Sequence, residues 1–143
     1  MAKPDPALLD PARYPFTCTT EPRFGDLDVN MHINNVAMAC LLEDARVRFH
    51  RACGYRDLLV GKASMVASVA IEYIGEASYP ECVQIACAME HIGRTSHRLV
   101  QVVTQGGKPL VFARTVLVTV DPEGPSPLPD TFAASTTAWM LRP

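Results

Sequence analysis

The sequence has a single tryptophan, no CxxC pair and no apolar run approaching the roughly 20 residues that a membrane-spanning helix needs. Its first residues, Met1-Ala2-Lys3-Pro4-Asp5-Pro6, also lack the apolar stretch of a secretory signal, so the expected location is the cytoplasm. Positive charge is not in excess. With 13 Lys and Arg against 15 Asp and Glu, the net charge is -2, and there is no basic field to draw nucleic acid or an anionic membrane. Neither is an expected partner. Five cysteines, Cys18, Cys40, Cys53, Cys82 and Cys87, are an odd number for a closed disulfide framework, and they read as small buried hydrophobes. The four histidines, His32, His50, His91 and His97, show no metal-ligand spacing with them, so no metal and no redox cofactor are expected.

What is present is enough for one core. At 143 residues, 48% hydrophobic and 20% charged, residues 1–143 read as one globular domain with no room for a second. Residues 1–15 hold four prolines and no periodic pattern, which predicts an irregular arm over the surface. Aromatic and β-branched content predicts a first strand over 16–24, left through the turn Gly25-Asp26-Leu27-Asp28.

Asn34 or Asn35 can cap a following helix, because a short side-chain carbonyl accepts from the unpaired N–H groups of a first turn. Gly54 ends the helix, and Arg48, His50 and Arg51 near that end complement its dipole. Residues 36–42 are apolar around the whole circumference, so burial on more than one side is expected.

Four strands are predicted next. In 65–73 the odd positions Met65, Ala67, Val69, Ile71 and Tyr73 are apolar, and Val83, Ile85, Cys87 and Met89 repeat the alternation. A run over 97–104 meets Gly106-Gly107, a strong hairpin signal, and 110–120 pairs back across it. Residues 121–143 begin with a proline-rich strap and are expected to end in a short helix capped by Asp130 and running through Trp139. The plan is α+β, an antiparallel sheet wrapped around one helix. Such a sheet leaves an edge and a face uncovered, which a second copy would bury, so at least a homodimer is expected, with a homotetramer as the further alternative.

The stretch Asp26-Leu27-Asp28-Val29-Asn30-Met31-His32-Ile33-Asn34-Asn35, followed by Leu42-Glu43-Asp44-Ala45-Arg46, resembles the hotdog-fold thioesterases. It is similar to the 4-hydroxybenzoyl-CoA thioesterase group, and its Asp-x-Asn-x-His spacing is similar to that of plant acyl-carrier-protein thioesterases. The plant enzymes join two such repeats in one chain, whereas this chain has one. The resemblance implies a five-stranded antiparallel sheet around one long central helix, and active sites at a dimer interface. It also implies a catalytic carboxylate at Asp28, supported by Asn30 and His32. The implied substrate is an acyl-CoA, or alternatively an acyl-ACP.

Thioester hydrolysis needs a carboxylate to attack the carbonyl or activate water, and donors for the developing oxyanion. Asp28 can supply the first, and the helix start at Asn34 and Asn35 the second. Glu43, on the helix, is a candidate second carboxylate, with an ordinary helical pairing as the alternative. Arg94, Thr95, Ser96 and Arg98 suit the phosphate and pantetheine end of coenzyme A, and Lys62 is a weaker candidate for the same task. Met65, Val69 and Tyr73 are candidates to line an acyl pocket, though residues at strand spacing also build plain core. Two other functions compete. Hotdog hydratases use an aspartate and a histidine five positions apart, which neither Asp28 nor Asp26 offers with His32. A non-catalytic acyl-CoA binder would share the fold without needing the carboxylate.

Overall fold

The side chain of Asn34 accepts the Ala37 N–H at 2.7 Å and so starts the one long helix, α1 (Asn35–Ala52). The helix stops where Gly54 takes φ 72°, a left-handed conformation that would strain a residue with a Cβ. Met38, Leu42, Ala45, Arg46 and Phe49 form its buried face at three- and four-residue spacing. Burial all round the first half does not occur: Val36 is 67% exposed, and Cys40, Glu43 and Val47 share its open stripe. The sheet of one chain covers one side of α1 and leaves this stripe to solvent. The structure, a computed structural model, describes residues 3–143.

A short helix, α2 (Tyr55–Leu58), leads into β2 (Ala63–Tyr73), β3 (Val83–Ile92), β4 (Ser96–Gln105) and β5 (Lys108–Asp121), with β1 (Phe16–Thr20) before α1. The strands pair antiparallel in the order β1-β3-β4-β5-β2. A two-residue β6 (Gly124–Pro125) from the strap adds to β5, so the sheet has six strands rather than five. On the face toward α1, Val83, Ile85, Cys87, Met89, Leu99 and Val103 are fully buried, as alternation predicts. Gly106 and Gly107, at φ 58° and 79°, make the hairpin turn between β4 and β5.

The outer face is partly covered too, which alternation does not reveal. Ala86, Ala88, Val100, Val102 and Phe112 are buried beneath Tyr14, Leu8, Leu9 and Leu141. The N-terminal arm is therefore built, not irregular. Asp5 and Asp10 each cap a short 3₁₀ turn, Pro6–Leu9 and Pro11–Arg13, by accepting the N–H groups of Ala7 and Ala12. Tyr14 Oη then donates to the Leu8 carbonyl at 2.7 Å.

Four expectations need correction. β1 ends at Thr20, ahead of Pro22, which cannot donate to a ladder, and Phe24–Asp26 form a 3₁₀ turn. β2 carries a register shift between Val66 and Ser68, so Met65, paired with Val118, faces away from the side shared by Val69 and Tyr73. The terminal helix is only α3 (Phe132–Ser135), with Thr131 at its N-cap instead of Asp130, followed by a 3₁₀ turn at Thr137–Trp139. Of the cysteines, Cys53 and Cys87 are buried, Cys18 and Cys82 are half-buried and Cys40 is exposed.

Candidate active site

The two aspartates of the motif have different surroundings. Asp26 is buried; its carboxylate accepts the Arg23 N–H at 2.8 Å and the Arg23 guanidinium at 3.2 Å. The backbone hydrogen bond, more than the guanidinium, holds its pKa below the usual carboxylate range. Asp26 is committed to structure. Asp28 begins a tight loop closed by the Leu27–Ile33 bridge and by its own N–H on the His32 carbonyl at 2.9 Å. Its Oδ1 accepts the N–H groups of Asn30 at 2.8 Å and His32 at 3.2 Å. Among the described residues Oδ2 takes no hydrogen bond, so one oxygen is fixed while the other stays open to a reactant.

The loop is strained where it turns. Met31 adopts φ 63°, a conformation that costs a side-chain-bearing residue on the order of 1 kcal/mol, held because Met31 N–H bonds the Asp28 carbonyl at 3.1 Å. The loop is anchored on both sides by Asn34 N–H to the Asp26 carbonyl and Ile33 N–H to the Ala77 carbonyl. It exposes Val29, Asn30 and Met31.

His32 holds Asp28 through its backbone, while its ring turns elsewhere. His32 Nε2 lies 3.2 Å from Glu76 Oε2. Sequence reasoning misses Glu76, which lies in the β2–β3 connection 44 residues from His32 with no pattern to mark it. Gln105 fixes that connection by bonding the Ser78 N–H and carbonyl and the Glu81 carbonyl at 2.9–3.0 Å.

The start of α1 faces the same end. Asn34 is consumed as cap, whereas the N–H groups of Asn35 and Val36 have no partner among the described residues, so the free donors are Asn35 and Val36. Tyr73 Oη donates to the Asn35 carbonyl at 3.0 Å, tying the end of β2 to this helix start.

The other candidates lie apart from Asp28. Val69 lines an open groove of about 410 Å³ between α1 and β2, together with Glu43 and Arg46. Glu43 makes no ion pair with Arg46; the neighbouring helical pair is Asp44–Arg48 at 2.8 Å. Arg94, Thr95, Ser96 and Arg98 sit at the β3–β4 turn. That is the opposite end of β4 from Gln105, about 30 Å along the strand. Arg98 is bound to Glu90 at 2.8 Å, beside a two-pronged Arg114–Glu90 pair. Arg94 is exposed and uncommitted in its side chain, and its carbonyl takes the Leu128 N–H, one residue from the Pro127 carbonyl that Lys62 Nζ contacts. Arg94 and Lys62 thus flank one strap. A cavity of about 480 Å³ lies at this end against Tyr55, Arg56, Lys62 and Ser64. Among the described residues no three His, Cys, Asp or Glu side chains gather in a metal-binding group, and no helix is long and apolar enough to cross a membrane.

An antiparallel sheet curled around one long helix is the hotdog architecture, and in this chain the Asp28 loop lies ahead of that helix's start. Residues 22–136 match the thioesterase-like superfamily, and the chain belongs to that family. A Thermus thermophilus thioesterase whose crystal structure contains coenzyme A and zinc is 26% identical, with a TM-score of 0.80 over 92% of this chain and 98% of the other. A predicted thioesterase from Bacillus stearothermophilus is 22% identical, with a TM-score of 0.79 over 90% and 98%. A probable thioesterase from Escherichia coli is 21% identical, with a TM-score of 0.77 over 88% and 98%. No curated protein matches the sequence.

Proposed function

We propose that the protein hydrolyses an acyl-CoA thioester to the free acid and coenzyme A, with Asp28 as the reacting carboxylate. One observation carries this reading: Asp28 has one oxygen pinned by two backbone N–H groups and the other open, beside the helix start that leaves the Asn35 and Val36 N–H groups free. Those donors would hold the thioester oxygen as it gains charge. Asp28 either attacks the carbonyl, giving an acyl anhydride that water then cleaves, or takes a proton from the attacking water. In the first route the C–S bond breaks as the anhydride forms and the departing thiolate is protonated from solvent; in the second the proton taken from water passes to the thiolate as the C–S bond breaks. Asn30 and His32 position the reactants, and Glu76 orients the His32 ring.

The proposed working unit is a homodimer. β2 is an edge strand with Val66, Val69 and Tyr73 exposed, and a two-fold axis through it would pair it antiparallel with its copy. That pairing would bring Arg94 and Lys62 of one protomer toward Asp28 of its partner, resolving their separation within one chain. The coenzyme A bound to the Thermus thermophilus relative supports this carrier for the substrate. The alternative carrier is acyl carrier protein, and the alternative function is acyl-CoA binding without turnover.

The test is release of free thiol from short, medium, long and aromatic acyl-CoA esters, with Asp28→Asn in parallel. Turnover is expected for at least one ester, with about 10²- to 10⁴-fold loss in the variant. Full activity in Asp28→Asn overturns the role of Asp28. Binding without turnover of any acyl-CoA or acyl-ACP overturns the hydrolase reading.

A further inference from the structure

Arg46 stands out on α1. It is only 7% exposed, yet no carboxylate pairs with it among the described residues. One of its five N–H donors is accounted for, Nη1 on Gln101 Oε1 at 3.3 Å. Gln101 cannot turn to offer more, because its amide nitrogen is held by the Leu42 carbonyl at 3.0 Å. A buried, unpaired cation is costly, and proteins that keep one generally give it a partner.

The space beside it has the shape of a chain-binding groove. Arg46 lines the open groove between α1 and β2, whose walls are Val36 and Ala39 on the helix and Val69 and Ile71 on the strand. Thr115, paired with Val69 across the sheet and on the same face, is buried and its hydroxyl has no hydrogen-bond partner. The groove therefore begins beside the free N–H groups of the helix start, runs along apolar walls and reaches a guanidinium whose remaining donors are accessible and take no protein partner among the described residues. From Asn35 to Arg46 is about 16 Å along the axis, and the arginine leans back toward the helix start, leaving roughly 10 Å of apolar path. Glu43 stays exposed at the rim, and its charge favours the guanidinium from a distance without forming an ion pair with it.

We propose that Arg46 determines acyl specificity and that the preferred acyl group is of medium length with a carboxylate at its far end. A carboxylate there would take the free donors of the guanidinium fork, a charge-assisted arrangement that no neutral alkyl end can match. This rests on the hydrolase reading above for the position of the thioester.

The experiment compares octanoyl-CoA with its ω-carboxy counterpart in the full-length wild type, Arg46→Met and Arg46→Lys. The wild type should favour the ω-carboxy ester at least about tenfold in kcat/KM, mainly through KM. Arg46→Met should lose that preference while keeping octanoyl-CoA turnover, and Arg46→Lys should restore part of it. Met fills the same space without an unpaired charge, so folding should persist. Equal wild-type use of both esters overturns the proposal, as does an Arg46→Met variant that slows both alike or dissociates the oligomer. If neither ester is turned over, the hydrolase reading falls for these chains, and binding of the two non-hydrolysable thioether analogues decides: preference for the acidic analogue sustains the role of Arg46, and equal binding overturns it.

Discussion

The Nε2 atoms of His50 on α1 and His97 on β4 lie 3.2 Å apart in the core, so one imidazole donates and the other accepts. His50 stacks on Tyr55, and both histidines pack among Tyr55, Phe49 and Phe132. His97 is 1% exposed and its Nδ1 has no partner among the described residues. Burial pushes His50 down to about 3, with His97 and then Arg46 adding to the shift, and burial alone pushes His97 down to about 4. Both rings are neutral in the folded protein at neutral pH.

Acid should therefore loosen the fold before it titrates the carboxylates. Unfolded imidazoles bind protons near pH 6.5, while the folded pair resists until about 4 and 3. Between those limits the unfolded chain holds more protons, so stability is complete above pH 6.5 and falls as pH falls. The slope approaches about 1.4 kcal/mol per pH unit for each ring. Thermal unfolding at steps from pH 7.5 to 4.5 should show a falling Tm, and a His50→Gln/His97→Gln variant should be flatter. Parallel curves for the two proteins would refute the assignment.

The proposed function assigns stability to Asp26 and chemistry to Asp28. Asp26→Ala removes the acceptor of the Arg23 N–H and should cost about 1–2 kcal/mol in urea unfolding, while leaving kcat within a fewfold of wild type. Asp28→Asn should do the reverse. If Asp26→Ala abolishes turnover in a folded protein, the division of labour is wrong.

Where one physical rule acted alone, the sequence was legible. Alternation in Val83, Ile85, Cys87 and Met89 placed β3, Gly106-Gly107 placed a hairpin, and the Asn34-Asn35 pair placed the helix start, with Asn34 proving to be the cap. Two rules competing hid the rest. A single extra residue near Ala67 reverses β2, so Met65 leaves the face of Val69, and periodicity read across the bulge cannot show that. Glu76 and Gln101 meet His32 and Arg46 only through tertiary folding. The reading of Asp28 as the catalytic carboxylate, by contrast, rests on resemblance; the structure adds only that one of its oxygens is held by two backbone N–H groups.

The N-terminal arm should behave as part of the core. Tyr14 is buried against Ala86, Val100 and Phe112, so Tyr14→Ala leaves a large cavity and an unscreened apolar sheet face. A loss of about 3–4 kcal/mol is expected, against about 1 kcal/mol for Tyr14→Phe, which gives up only the bond to the Leu8 carbonyl. Urea unfolding of the two variants measures the difference. Near-equal values would mean that the arm lies on the sheet without stabilising it.

A site shared between protomers makes a prediction that a site within one chain cannot. If Asp28 of one protomer works with Lys62 and Arg94 of its partner, then Asp28→Asn and Lys62→Ala/Arg94→Ala each disable a homodimer, the second through KM for acyl-CoA. When the two variants are mixed and allowed to exchange, half of the dimers are mixed. Each mixed dimer holds one site with every wild-type group and one with none. Activity should return to about a quarter of wild type at substrate levels where the double variant is silent. Light scattering on the same samples should report dimers throughout. Dimers that exchange without regaining activity would place the cations and Asp28 in separate sites, and a monomeric wild type would remove the basis for the shared site altogether.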